Sequence, residues 1–170
     1  MLVDIAIKAL SPAINDPTTA VQAIDEIEDL MRRLGRRELN VGYARDTNGV
    51  LRVIFPTPTW EDYLHLSFDE IRQFGAHSVQ VNRRLRSALL EVADAVESET
   101  RAATMQAYLK QLDVGISRSP FDAEDQIYAS HEDRQGLGLP RHERLSVSST
   151  IAPESRRAAK GNVPHMKEMI

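Results

Sequence analysis

The chain has 170 residues, 42% of them hydrophobic, enough for one core of ordinary size and too few for two full domains. Its formal charge of −4 is unevenly spread: residues 140–170 hold six Lys/Arg and three Asp/Glu, leaving 15 basic against 22 acidic residues before them. An acidic body argues against nucleic acid as a partner, the absence of cysteine excludes disulfides and thiolate chemistry, and no apolar run is long enough to span a bilayer.

Leu2, Ile5, Ala6, Ala9 and Leu10 form a helical apolar face from the first residues, with no cap or lead-in. A domain seldom starts inside a helix. The expectation is therefore a C-terminal part of something longer, or a first helix that continues from upstream sequence. Ser11-Pro12 and Asp16-Pro17 then break the chain, with Asp16 as N-cap and Pro17 at the first helical position. The second helix is predicted from Pro17 to Leu34, with Val21, Ile24, Ile27, Leu30 or Met31, and Leu34 inward and Gly35 as its stop. On its outer face Glu28 with Arg32 and Asp29 with Arg33 are i,i+4 ion pairs.

The period changes to two at Leu39, Val41 and Tyr43, and Val50 to Phe55 is a β-rich run, with the turn signal Asp46-Thr47-Asn48-Gly49 between them. A lone hairpin is marginal in water, so this one, near 39–55, is expected to lie on the helices and bury Leu51, Val53 and Phe55. Pro56 and Pro58 end it. Thr59 reads as the N-cap of a helix whose buried stripe is Trp60, Leu64, Phe68 (or Ser67), Ile71 and Phe74, ending at Gly75. A long helix from Ser78 to Val96 turns Val81, Leu85, Ala88, Leu89, Val92 and Val96 inward and Arg83, Arg84 and Arg86 outward. Another, Arg101 to Ile116, buries Met105, Tyr108, Leu109, Leu112 and Ile116, and Asp122 caps a short last helix reaching Arg134. Beyond Gly136 the apolar residues are too sparse to repay ordering. The expected whole is a mostly α domain over 1–139, a bundle of five to six helices with one β-hairpin packed on it, and a disordered tail over 140–170.

Three groups of residues invite a functional reading. Lys8, Ser11, Asn15, Thr18 and Thr19 surround the N-terminus of the second helix, whose free amides can cradle a phosphate or carboxylate, with Arg72 as a contributor. Capping explains most of this segment and would itself occupy those amides; Asn15 is the residue it does not explain. Asp62, His65 and Asp69 share one helix face, yet without the second His of a zinc helix they read as solvated surface. Asp69, Glu70 and Arg72, followed by Arg83 to Arg86, read as an ion-pair network between two helices, with an anionic-ligand or partner-docking surface as the sharper alternative. Asp122, Glu124 and Asp125 are first-turn acids. The sequence holds no GxSxG, GxxxxGK[ST] or GxGxxG motif, so no catalytic residue, metal site or cofactor is assigned.

The run Asp4 to Ala20, centred on Ser11-Pro12-Ala13-Ile14-Asn15-Asp16-Pro17, with Phe55 to Tyr63 and Phe68 to Ala76, resembles the C-terminal region of a bacterial family of predicted membrane proteins. It is the "two-two-five-four" domain-of-unknown-function family, and the resemblance covers roughly Leu2 to Arg134. It implies transmembrane helices upstream of a soluble, cytoplasmic part, and assigns no catalytic residue, substrate or cofactor. The expectation is an interaction or regulatory domain of a membrane-associated protein, with a protein partner or a homo-oligomer. The competing reading is a small-molecule or anion site, hydrolysis included, at the 11–20 turn.

Overall fold

The computed structural model describes residues 1–133, so the tail expected over 140–170 lies outside the described residues. The helices are α1 (Leu2–Ala9), α2 (Pro17–Leu34), α3 (residues 60–74), α4 (Val79–Ala95), α5 (Glu99–Arg118) and α6 (Ala123–Ala129). A two-stranded antiparallel hairpin, β1 (Tyr43–Arg45) and β2 (Leu51–Ile54), stands between α2 and α3.

Each helix after α1 starts where its capping chemistry says it should. Asp16 accepts from the Thr19 amide at 3.1 Å, and Thr59 and Asp62 form a reciprocal capping box. Ser78, Ser98 and Asp122 cap α4, α5 and α6. The end of α2 is held from a distance: Arg101 on α5 lies over the Trp60 ring and donates to the carbonyls of Gly35 and Arg37 at 2.7 and 3.0 Å. α6 stops at Ala129, short of the expected Arg134, which lies outside the described residues. Ser130 Oγ and His131 Nδ1 take the carbonyls of Gln126 and Ile127 and close the last turn.

One core joins the elements: Ala6 and Ala9 of α1, Ile24, Ile27 and Met31 of α2, Trp60, Leu64, Phe68 and Ile71 of α3, the α4 stripe Val81, Leu85, Leu89 and Val92, and Met105, Leu112 and Ile116 of α5. α4 is central, lying against α2, α5 and α6, so it is buried almost all round. Arg83 and Arg84, expected outward, are therefore only 0% and 6% exposed. Phe74 is also exposed where a stripe position was expected, because the α3 stripe passes to Gly75. A Cβ on Gly75 would stand 2.4 Å from Val81 Cγ1, so only hydrogen fits there.

The hairpin forms as expected, with Tyr43 opposite Ile54, a bulge between Ala44 and Arg45, and Gly49 at φ +79° in the turn. The Asp46 carboxylate accepts from the amides of Asn48 and Val50 and from Arg52, which holds its pKa below the ordinary value. Its packing differs from expectation: Leu51, Val53 and Phe55 remain 41%, 51% and 46% exposed. Strands of three and four residues pair with each other and are exposed at every position. At the base of the hairpin Leu39 meets the core and Phe55 N donates to Gly42 O at 2.8 Å.

Candidate functional site: an apolar groove beside the first helix

The 11–20 segment is a closed turn. Ser11 Oγ donates to Lys8 O at 2.7 Å, Ser11 O accepts from the amides of Ile14 and Asn15, and Asp16 N donates to Ala9 O at 2.8 Å. Asn15 sits at φ +48°, in the left-handed region that its short polar side chain tolerates better than most residues do. Backbone geometry thus accounts for the residue that capping left unexplained. Asp16 also accepts from Thr19 Oγ1 at 2.6 Å, and these bonds lower its pKa. Lys8, Asn15 and Thr18 are exposed, whereas Ser11 and Thr19 are half-buried. Arg72 lies elsewhere, in a cleft with Lys110, Gln111, Val114, Gly115 and Arg118 that includes none of the 11–20 residues.

A more developed concavity opens between the N-terminal half of α1, the middle of α2 and the centre of α3. It measures about 530 Å³ and is lined by Met1, Leu2 and Val3, by Ile27, Leu30 and Met31, and by Leu66, with Asp4, His65, Ser67 and Glu70 supplying polar atoms. Leu30 and Leu66 are 54% and 70% exposed beside it, a poor position for two leucines unless something covers them. Residues His65–Asp69 of α3 form a π-helical turn here, an irregularity that often accompanies function.

Behind the π turn lies a polar cluster. His65 Nδ1 is 2.7 Å from Asp69 Oδ2 and 2.7 Å from the Tyr108 hydroxyl of α5. With the ring hydrogen assigned to Nδ1, the imidazole donates to the carboxylate and the phenol keeps its own proton. Burial first, then the charge of Asp69 and a hydrogen bond to it, push the Tyr108 phenol above its ordinary pKa. Asp62 does not join this cluster, since its carboxylate is turned back to the Thr59 amide at 2.8 Å. Asp69 Oδ1 stands 3.9 Å from Arg72 Nη2. Among the described residues no group of three or more His and carboxylates is arranged to hold a metal ion.

The network expected between α3 and α4 is built with other partners. Arg84 pairs with Asp25 and Glu28 of α2, and Arg86 with Asp113 of α5. Arg83 lies 4.2 Å from the Tyr128 ring centre and donates to Glu132 O at 3.1 Å, fastening the segment after α6 to α4. A sequence signal for Arg84 existed: it falls three residues after Val81 and four before Ala88, on the apolar stripe itself.

Residues 1–91 match the family model described as "Predicted membrane protein (DUF2254)", which is more than half of the chain. The chain belongs to that family. Uncharacterized proteins of Mycobacterium bovis and of two Mycobacterium tuberculosis strains are each 32% identical to it over 124 residues. That stretch is 73% of this chain and 24% of each relative, so the chain spans about a quarter of their length. No solved structure matches. All the residues lining the α1 groove fall inside the family match, whereas Tyr108 and the α5 side of the Arg72 cleft lie beyond it. No helix among the described residues is long and apolar enough to cross a membrane.

Proposed function

We propose that this chain is an interaction module of a membrane-associated protein, lying outside the bilayer on the cytoplasmic side. Its α1 groove receives an apolar helix from the membrane-associated portion of the protein. The observation that carries this reading is the pair Leu30 and Leu66, exposed on either side of an apolar groove that the described residues leave open. Three further points support it. The family is described as one of membrane proteins, and about three quarters of the relatives' length lies outside the stretch matched here. The rim of the groove carries Asp4 and Glu70, and membrane helices are flanked by Lys and Arg on their cytoplasmic side, so the charges are complementary. A ligand site at the 11–20 turn has less behind it, because Asp16 occupies the Thr19 amide and hydroxyl and its charge repels an anion.

The test mixes the chain, in mild detergent, with the portion of the Mycobacterium tuberculosis relative that lies outside the matched stretch, and follows size-exclusion elution by light scattering. Co-elution is expected, and its loss in a Leu30→Glu, Leu66→Glu double variant that keeps its helical signal. Separate elution would overturn the reading. So would a dimer of the chain alone that the same variant disperses, since the groove would then serve a second copy.

A further inference from the structure

The cleft between α3 and α5 is a different kind of surface. Arg72 faces a stripe of α5 made by Gln111, Val114, Gly115 and Arg118, at spacings i, i+3, i+4 and i+7, with Lys110 beside it, around a space of about 370 Å³. Among the described residues three cations line it and no carboxylate does. The nearest opposing charge identified is Asp69, whose Oδ1 stands 3.9 Å from Arg72 Nη2 and is buried without a hydrogen-bond partner among the described residues, while its Oδ2 is bonded to His65. Three cations against one neighbouring carboxylate leave the cleft with an excess of positive charge, which favours an anion there.

Gly115 is a second, independent sign. It lies inside α5, where glycine in place of alanine costs about 0.8–1 kcal/mol. At Gly75 the glycine is needed because a neighbour fills the space; at Gly115 a Cβ would meet nothing within 4 Å. Packing among the described residues therefore gives no reason for the bare backbone, which lines the cleft and leaves room for a ligand to approach closely.

We propose that this cleft binds a phosphate group. Two guanidinium groups and an ammonium suit a dianion with several acceptor oxygens better than a single carboxylate. Val114 and the aliphatic stems of Arg118 and Lys110 give the floor an apolar component for the body that carries the phosphate. A small phosphate ester and a phospholipid headgroup share this chemistry. The site is independent of the α1 groove, which has no lining residue in common with it.

Two arms separate the sources. In the first, backbone amide resonances of the whole chain are followed by NMR during titration with inorganic phosphate at fixed ionic strength. In the second, the chain is floated with phosphatidylcholine vesicles, with or without phosphatidylglycerol. Phosphate should shift Gly115 and Arg118 selectively, and Lys110→Gln with Arg118→Gln should weaken the response about tenfold. Gly115→Leu keeps every charge and favours the helix, yet fills the cleft, so binding should be lost while thermal stability holds or rises. A response confined to phosphatidylglycerol vesicles and sensitive to the same variants assigns the site to a headgroup, and a response to phosphate alone assigns it to a soluble ester. No selective response in either arm would overturn the proposal, as would a response that Gly115→Leu leaves unchanged, since that would be general surface charge.

Discussion

Arg84→Met should be the most damaging conservative change on α4. The guanidinium has a side chain only 7% exposed and holds two carboxylates of α2, Glu28 at 9% exposed and Asp25 at 45%. Asp25 can turn to water when the arginine is gone; Glu28 keeps only Arg32, 3.6 Å away and itself partly solvated. Removing one partner of a buried pair costs about 3–5 kcal/mol, and the access of Asp25 and Arg32 to solvent brings the expectation to about 2–3 kcal/mol. For a domain of this size that is a fall in Tm of about 8–12 °C, read by urea and thermal unfolding followed by circular dichroism. The pH dependence has a definite sign. Burial already raises the pKa of Glu28 in the folded chain and Arg84 pulls it down, so the variant's folded pKa rises further. The folded variant then binds a proton that the unfolded chain releases, and its deficit should shrink as the pH falls from neutral towards the ordinary range of a glutamate. Arg84→Met with Glu28→Met should recover most of the loss. A deficit no larger than that of Arg33→Met, whose pair with Asp29 is exposed, or one independent of pH, would refute the reasoning.

Asn15→Ala should cost about 1 kcal/mol in urea unfolding, whereas Asn15→Gly should be close to neutral, because the position requires φ +48° and little else. Tyr108 should resist ionisation beyond the ordinary range of a phenol in an ultraviolet pH titration; Asp69→Asn, which removes a charge and a hydrogen bond, should lower its pKa without bringing it fully back, since burial remains. Val53→Asp on the hairpin should change unfolding free energy by less than about 0.5 kcal/mol, since both faces are open to water, and a larger loss would mean that the hairpin is covered.

Much of the fold was legible because its signals are local. Asp16-Pro17, Thr59 with Asp62, and Ser78 each fix a helix start by their own side chains, and the Asn48-Gly49 turn fixes the hairpin. What could not be read depends on which face meets which neighbour. Arg83 and Arg84 look like surface residues until α2 supplies Asp25 and Glu28 and α6 supplies Tyr128, all remote in sequence. The alternation in the hairpin announced strands, but burial of Leu51, Val53 and Phe55 needed a helix packed on one face, and alternation alone does not say whether one is there. In the 11–20 segment the sequence shows the cap but not the backbone: Asn15 looked like an unexplained polar residue because its φ of +48° is not visible in a sequence. The companions of Arg72 in its cleft come from α5, 38 or more residues later, a distance no local pattern reports.

The proposal that the α1 groove seats an apolar helix is tested most directly by a photo-crosslinker at position 66. The chain has no cysteine, so Leu66→Cys offers a single attachment point, and the crosslinked peptides are identified by mass spectrometry in the presence of the membrane-associated portion of the Mycobacterium tuberculosis relative. Crosslinks to one apolar segment flanked by Lys or Arg are the predicted result; crosslinks only within the chain or between two copies of it would contradict the account.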